Sequence, residues 1–314
     1  MRVLLTGSSG WLGRFLAPRL REQGHEVVGL DVAPGADTDI TGSVADKALV
    51  ERASQGIDAV VHAGALHKPD IARYPESAFR DVNVEGTRHL LASAAAAGAD
   101  RFLFTSTTSL MISEEIRSGP KQRAVWLTED SPPAPRNIYG ATKLEAERLC
   151  RRAHDETGMA VLVLRTGRFF PEEDDTHRDL PGENNKANEL LGRRLTVEDA
   201  AEAHLAALAR APALGFDTFL LAAPTPFAPA DREALIADAP ALIARHFPTA
   251  PALYAERGWS LPARIDRVYD PSRAERRLGF RCRTDFAAVL GAMAKHGQLP
   301  FAHDPSYVSP KENV

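Results

Sequence analysis

Tyr139 and Lys143 stand four residues apart in Tyr139-Gly140-Ala141-Thr142-Lys143. On a helix that spacing puts a phenol and an ammonium one turn apart on the same face. An unperturbed phenol loses its proton at about pH 10, too high for a base at neutral pH. A lysine ammonium, with a second positive charge on a bound cofactor ring close by, favours phenolate and lowers that value, so the pair suits proton exchange with an alcohol or a carbonyl. Upstream, Thr105-Ser106-Thr107-Thr108-Ser109 supplies hydroxyls that can hydrogen-bond a reacting oxygen. A Tyr/Lys pair alone is commonplace on solvated helices, and its meaning depends on what shares the site.

What shares it is announced near the start of the chain. Thr6-Gly7-Ser8-Ser9-Gly10-Trp11-Leu12-Gly13 lies between a buried-strand run and a helical pattern. Gly7 allows the tight turn, Gly10 lets the backbone approach a pyrophosphate, and Gly13 lets the helix pack close to the sheet. Gly7, Ser9, Gly10, Trp11, Leu12 and Gly13 are therefore candidate contacts of a dinucleotide. Asp31 follows the next strand, eighteen residues beyond Gly13, near the spacing of about 20 expected for a carboxylate on an adenosine ribose. That charge repels a 2′-phosphate, so NAD is favoured over NADP. Asp39-Ile40 and His62-Ala63-Gly64-Ala65 fall where later strands end, at the edge that lines such a crevice. His62 reads equally well as a satisfied histidine at a strand terminus. With NAD present, hydride leaves an alcohol carbon for the nicotinamide while Tyr139 takes the proton, and Lys143 holds the nicotinamide ribose.

The elements that must position these groups alternate. Strand-like runs at Val3–Thr6, His25–Leu30, Asp58–His62, Arg101–Thr105 and Ala160–Leu164 are separated by helical patterns at Trp11–Gln23, Lys47–Gln55, Val82–Ala97 and Tyr139–Thr157. Such alternation predicts right-handed βαβ units and a parallel sheet covered on both faces, an α/β, Rossmann-type doubly wound architecture. Residues 1–167 form the dinucleotide-binding part, to which a helix at 196–211 and a strand near 216–222 return. Residues 168–192 and 223–314 form a smaller C-terminal substrate-binding subdomain and tail. Pro171–Lys186, acidic and broken by Pro and Gly, predicts an irregular loop, and Pro224–Pro262 a cap of short helices. From Ala302 little can pack, which predicts a frayed or partner-bound tail.

Thr6–Gly13, Asp31, Ser106-Thr107, Tyr139–Lys143 and Leu164-Arg165 together resemble the extended short-chain dehydrogenase/reductase family, which includes the NAD-dependent epimerases and dehydratases of sugars. The likeness runs over nearly the whole chain. Asn83-Val84-Glu85-Gly86-Thr87 resembles the family's helix opening after the fourth strand, Val197-Glu198-Asp199 its later V-x-D signature, and Asp270–Gly279 its closing helix. The resemblance implies a seven-stranded parallel sheet, a small substrate domain and a homodimer built from two helices per subunit. It also implies that Thr107 is the substrate-binding hydroxyl, with Ser106 beneath it supporting the cofactor and Thr108 beside it.

Departures from the family narrow the chemistry. Thr108-Ser109 stands where sugar-nucleotide dehydratases place Asp-Glu, so elimination lacks its carboxylates. Arg165-Thr166-Gly167-Arg168 replaces the Arg-Tyr-Phe-Asn common in relatives acting on nucleotide-sugars, and resembles members that oxidise free sugar acids. The Pro171–Val197 stretch is short for clasping a nucleotide diphosphate. A smaller carbohydrate substrate follows, and Arg168 is a natural clamp for an anionic group on it; the competing reading pairs Arg168 with the acidic Glu172–Asp175. Net oxidation of a small sugar, sugar acid or polyol is the first reading. An epimerase that keeps its NAD shares every catalytic residue, and an NAD(P)-sensing binding protein is the third. His67-Lys68-Pro69 reads as a surface loop or the floor of the substrate site. Trp126, Trp259, Phe169 and Phe170 read as core or pocket lining.

Composition agrees. The 314 residues are 44% hydrophobic and 25% charged, with a net charge of −4, so neither nucleic acid nor an anionic membrane surface is favoured as a partner. Two cysteines, Cys150 and Cys282, are too few for a disulfide framework or a cysteine-built zinc site, and no metal is expected. The opening residues lack a signal peptide's apolar length, and no run approaches the roughly 18 apolar residues of a membrane span, so a cytoplasmic protein is expected.

Overall fold

The computed structural model describes residues 1–172 and 179–314. Nine strands are present among them: β1 (Arg2–Thr6), β2 (Glu26–Asp31), β3 (Ile40–Thr41), β4 (Ala59–His62), β5 (Arg101–Thr107), β6 (Val125–Leu127), β7 (Ala160–Thr166), β8 (Phe216–Leu221) and β9 (Arg267–Tyr269). Seven form one sheet in the order β3-β2-β1-β4-β5-β7-β8, every neighbouring pair parallel. This is the doubly wound α/β fold expected from the strand–helix alternation. The order reverses between β1 and β4, and the crevice of such a sheet opens at the carboxyl ends of those strands.

Side chains alternate between the two faces of the sheet, and both faces are covered. Val3, Leu5, Val61, Leu103, Leu162 and Leu164 pack in one apolar core, with the helices Gly13–Glu22 and Val197–Leu214. Leu4, Val60, Phe102, Phe104, Val161 and Val163 point the other way, under Lys47–Ala53, Gly86–Ala96 and Ile138–Thr157. Burial on both faces explains why the strands read as continuous apolar runs. The expected helix at Val82–Ala97 opens with a π-helical turn, Asp81–Glu85, before Gly86–Ala96 continues as α-helix.

A third core lies in the second half of the chain, where Leu190, Leu191, Leu235, Leu242, Ile243, Tyr254, Val268, Phe286 and Val289 pack together. Its short helices, Ala234–Ala237, Ala239–His246 and Ala250–Glu256, match the Pro-punctuated pattern. β6 and β9 form a separate two-stranded parallel sheet. Trp259 packs edge-on to Tyr254 in this core, and the Trp126 indole donates to Asp270.

Two expectations need correction. The stretch Pro171–Lys186 is not wholly irregular, because Gly182–Glu189 is a helix whose Asn184 and Asn188 side chains are anchored to the carbonyl of Ser260. Residues 173–178 lie outside the described residues. The tail from Ala302 is not frayed: its polar side chains fold it back onto the main body, so few apolar groups are needed to hold it.

Candidate active site

The glycine loop is closed by backbone packing. Gly7 adopts φ +74°, and a Cβ on it would lie 2.7 Å from the nitrogen of Gly64, so β1 and β4 approach here as only glycines allow. A Cβ on Gly13 would collide with the carbonyl of Gly7. Gly10 N–H donates to that same carbonyl. Leu12 is buried at the start of the Gly13–Glu22 helix, and the Trp11 indole nitrogen is buried with no hydrogen-bond partner among the described residues. Asp31 ends β2 facing this loop, its carboxylate accepting from the backbone N–H groups of Ser9 and Ala33, both at 3.0 Å. The Ser9 hydroxyl donates to the Ala33 carbonyl.

His62 does not reach the crevice through its side chain. One ring nitrogen meets the Thr6 hydroxyl at 2.7 Å and the other the Thr87 hydroxyl at 3.0 Å. Burial holds the ring well below the usual histidine range. It is a neutral core residue with both nitrogens satisfied, the satisfied histidine of the two readings, and its side chain is not offered to a cofactor. Ala63 and Gly64 do sit beside the glycine loop, with Gly64 N–H donating to Thr6. Asp39 spends one carboxylate oxygen on the Gly29 N–H, 2.8 Å away, and Ile40 opens the edge strand β3.

Tyr139, Lys143 and Glu147 line one face of the Ile138–Thr157 helix, which Asn137 caps by accepting from Gly140 N–H. Tyr139 is buried, and Thr107 at the end of β5 acts on its phenol electrostatically. Thr107 Oγ1 accepts from the Ser109 N–H at 3.1 Å, and Thr108 is buried at the opening of the Thr108–Met111 3₁₀ turn. Lys143 Nζ donates to the carbonyl of Thr105 at 2.8 Å and lies over the Phe104 ring.

In the chain alone, burial sets the electrostatics of the pair. Burial pushes the Tyr139 phenol up to about 12, the Thr107 hydrogen bond pulls the other way, and Asp70 adds to the rise. The neighbouring Lys143 ammonium is itself pulled down to about 7 by loss of water. In the chain alone Tyr139 is a neutral acid.

Ser106, on the strand beneath Thr107, braces the site through Glu147. Its hydroxyl donates to Glu147 at 2.6 Å, and Glu147 is also gripped by Arg165, whose Nη2 lies 2.8 Å away. This buried triad ties β5 and β7 to the Tyr139 helix. Glu147 was missed because the sequence offers a glutamate on a helix and no sign of what it faces.

The loop after β4 completes the wall. The His67 ring lies 5.7 Å from Tyr139 and 5.9 Å from Phe170, which stacks on Phe169. His67 is therefore a wall residue, not surface. Asn83, on the π-helical turn, holds this loop by bonding both backbone groups of Leu66 and reaches Thr142 at 3.1 Å. Arg168 is half-buried, with Nη2 4.0 Å from Glu172, so the acid-pairing alternative has one of its partners in place; Glu173–Asp175 lie outside the described residues.

A glycine cradle faces a carboxylate at one end of the crevice, and a Tyr–Thr–Lys cluster stands at the other, an arrangement with room and donors for a dinucleotide. Residues 3–218 match the profile of the NAD dependent epimerase/dehydratase family. The chain belongs to that family. Members of this family use NAD, and the residues here fit it: the glycine approach at Gly7 and Gly64 leaves no room for side chains, and Asp31 is fixed by the loop itself.

Among curated relatives the chain is 30% identical to a 3-beta-hydroxysteroid dehydrogenase of Mycolicibacterium neoaurum, over 56% of this chain and 49% of that one. It is 30% identical to a UDP-glucose 4-epimerase of Azospirillum brasilense, over 52% and 48%, and 28% identical to a uronate dehydrogenase of Pseudomonas putida, over 54% and 62%. The matched stretch spans about half the length of the first two. A crystal structure of a short-chain dehydrogenase/reductase superfamily protein from Agrobacterium tumefaciens with bound NAD superposes with a TM-score of 0.68 at 26% identity, covering 94% of this chain and 96% of that one. Among the described residues, no group of three or more His, Cys, Asp or Glu side chains is placed to hold a metal ion, and no helix is long and apolar enough to cross a membrane.

Proposed function

We propose that this family member is an NAD-dependent oxidoreductase acting at a secondary alcohol of a small sugar, sugar acid or polyol, with Tyr139 as the acid/base. The observation that carries the reading is the placement of buried Tyr139 and Lys143 one turn apart on one helix face, with Lys143 Nζ bonded to the carbonyl of Thr105 on the strand that ends at Thr107. NAD supplies the hydride acceptor and, when oxidised, a positive charge beside the phenol. Gly7, Ser9, Gly10, Trp11, Leu12, Gly13, Ala63 and Gly64 hold its diphosphate region, and Asp31 the adenosine ribose. Lys143 holds the nicotinamide ribose, Thr107 and Thr108 orient the substrate, and Tyr139 exchanges the proton. A phenol at about 12 is poised to give its proton to a carbonyl oxygen; in the oxidising direction it needs the added positive charge to act as base.

A substrate smaller than a nucleotide-sugar is supported by the short Pro171–Val197 stretch, by Arg165-Thr166-Gly167-Arg168 and by the uronate dehydrogenase likeness. Arg168 meets an anionic group on it, with Glu172 competing. The epimerase likeness keeps a second reading open, in which the same groups return the hydride to the other face and NAD stays bound. We place the protein in the cytoplasm, where its two free buried cysteines suit a reducing environment.

The test is a panel of sugars, sugar acids and polyols with added NAD, read by absorbance of the reduced nicotinamide. Net NADH is expected with at least one of them, and Tyr139→Phe is expected to lower turnover by roughly 10²–10⁴-fold with NADH binding intact. A variant with near-normal turnover removes Tyr139 from the mechanism. Tightly held NAD with no net NADH establishes the epimerase reading instead.

A further inference from the structure

Residues 302–314 lie on the two lips of the crevice at once. On the first lip, the Tyr307 ring packs edge-on against Trp11 of the glycine loop, with centroids 5.1 Å apart, and the Arg14 guanidinium lies over both rings. On the second lip, beyond β4, Lys311 Nζ donates to the carboxylate of Asp70 at 2.5 Å and to the carbonyl of Ala65 at 3.1 Å. Arg73 pairs with Glu312 beside it, at 3.3 Å. The near end is fixed at Pro171, whose carbonyl accepts from Asp304 N–H, and at Lys186, whose ammonium meets His303. The Lys311 contacts join positions 241 and 246 residues apart in sequence. They place the segment over the switch between β1 and β4.

The fastening suits a part that opens. Tyr307 is only partly buried, Val308 and Val314 are exposed, and the segment is held by the polar contacts above together with the Tyr307–Trp11 ring pair. Asp70, by contrast, is 2% exposed and already bound by the His67 N–H, so it belongs to the wall beside Tyr139. Segments held by few apolar contacts occupy the low-stability end of a protein's opening equilibria.

We propose that residues 302–314 form a strap across the dinucleotide crevice, caught by Lys311 on Asp70 and the Ala65 carbonyl, which must unfasten for the cofactor to exchange. The inference rests on the dinucleotide reading of the crevice and adds a gate to it. A gate slows entry and departure alike, whereas a plain binding contact slows departure alone.

Full-length Lys311→Met and Tyr307→Ala free the two lips separately. Stopped-flow fluorescence of NADH gives association and dissociation rate constants, with thermal melts confirming that each variant is folded. Both rate constants are expected to rise by about tenfold in Lys311→Met, the order for losing one charge-assisted hydrogen bond, leaving the dissociation constant little changed. Tyr307→Ala is expected to move both rates in the same direction. Rates unchanged in both variants, or a rise in dissociation alone, overturn the strap while the cofactor reading stands. A wild-type chain that binds no NADH overturns the cofactor reading, and the strap with it.

Discussion

The ammonium of Lys143 is 2% exposed, donates to a backbone carbonyl, and is pulled down to about 7 by burial. Its ordinary value is 10.5, so between about pH 7 and 10.5 the unfolded chain carries a proton here that the folded chain has released. Stability rises with pH wherever the unfolded state binds more protons. Lys143 therefore opposes folding most below about pH 7, and its penalty fades as pH climbs through that window. Lys143→Met removes the group, so the stability of wild type relative to this variant is expected to increase from pH 6 to pH 9, measured by urea unfolding. A difference that stays flat with pH would show that the ammonium is solvated. The same burial explains Tyr139: water loss outweighs a neighbouring hydrogen bond, and the phenol becomes an acid awaiting a partner charge.

Among the elements, the Ile138–Thr157 helix carries the site because three positions one turn apart face inward. Tyr139 and Lys143 are the groups to which the proposed chemistry is given; Glu147, one turn on, accepts from Ser106 and Arg165 and so fixes how the helix sits on β5 and β7. Glu147 and Arg165 are 8% and 7% exposed, and removing one partner strands the other's charge. Glu147→Gln is expected to destabilise the fold by about 3–5 kcal/mol, the range for breaking a buried pair. An unchanged urea midpoint would mean that the pair is solvated and does not set the helix. The loop after β4 is positioned from outside in the same way, by Asn83 on a π-helical turn, which brings His67 against Tyr139.

At the scale of the whole molecule, the sheet fixes the crevice and later segments finish it. Arg273, far along the chain, reaches Asp130 at 2.6 Å, linking the closing helix Ser272–Leu278 to the loop after β6. We propose a homodimer, as the family resemblance implies; light scattering is expected to give twice the 34.1 kDa of one chain, and a single-chain mass would overturn it. The strand–helix alternation, the glycine loop, Asp31 and the Tyr139/Lys143 pair were all legible in the sequence, because each is a local pattern whose spacing carries its own geometry. The fate of His62, the Ser106–Glu147–Arg165 triad, the approach of His67 and the return of residues 302–314 were not. Each depends on groups 18 to 246 residues apart meeting in space. Local spacing sets which face of a strand or helix a side chain occupies, but a hydrogen bond needs its partner's position as well, and that is decided only when the sheet brings distant segments together.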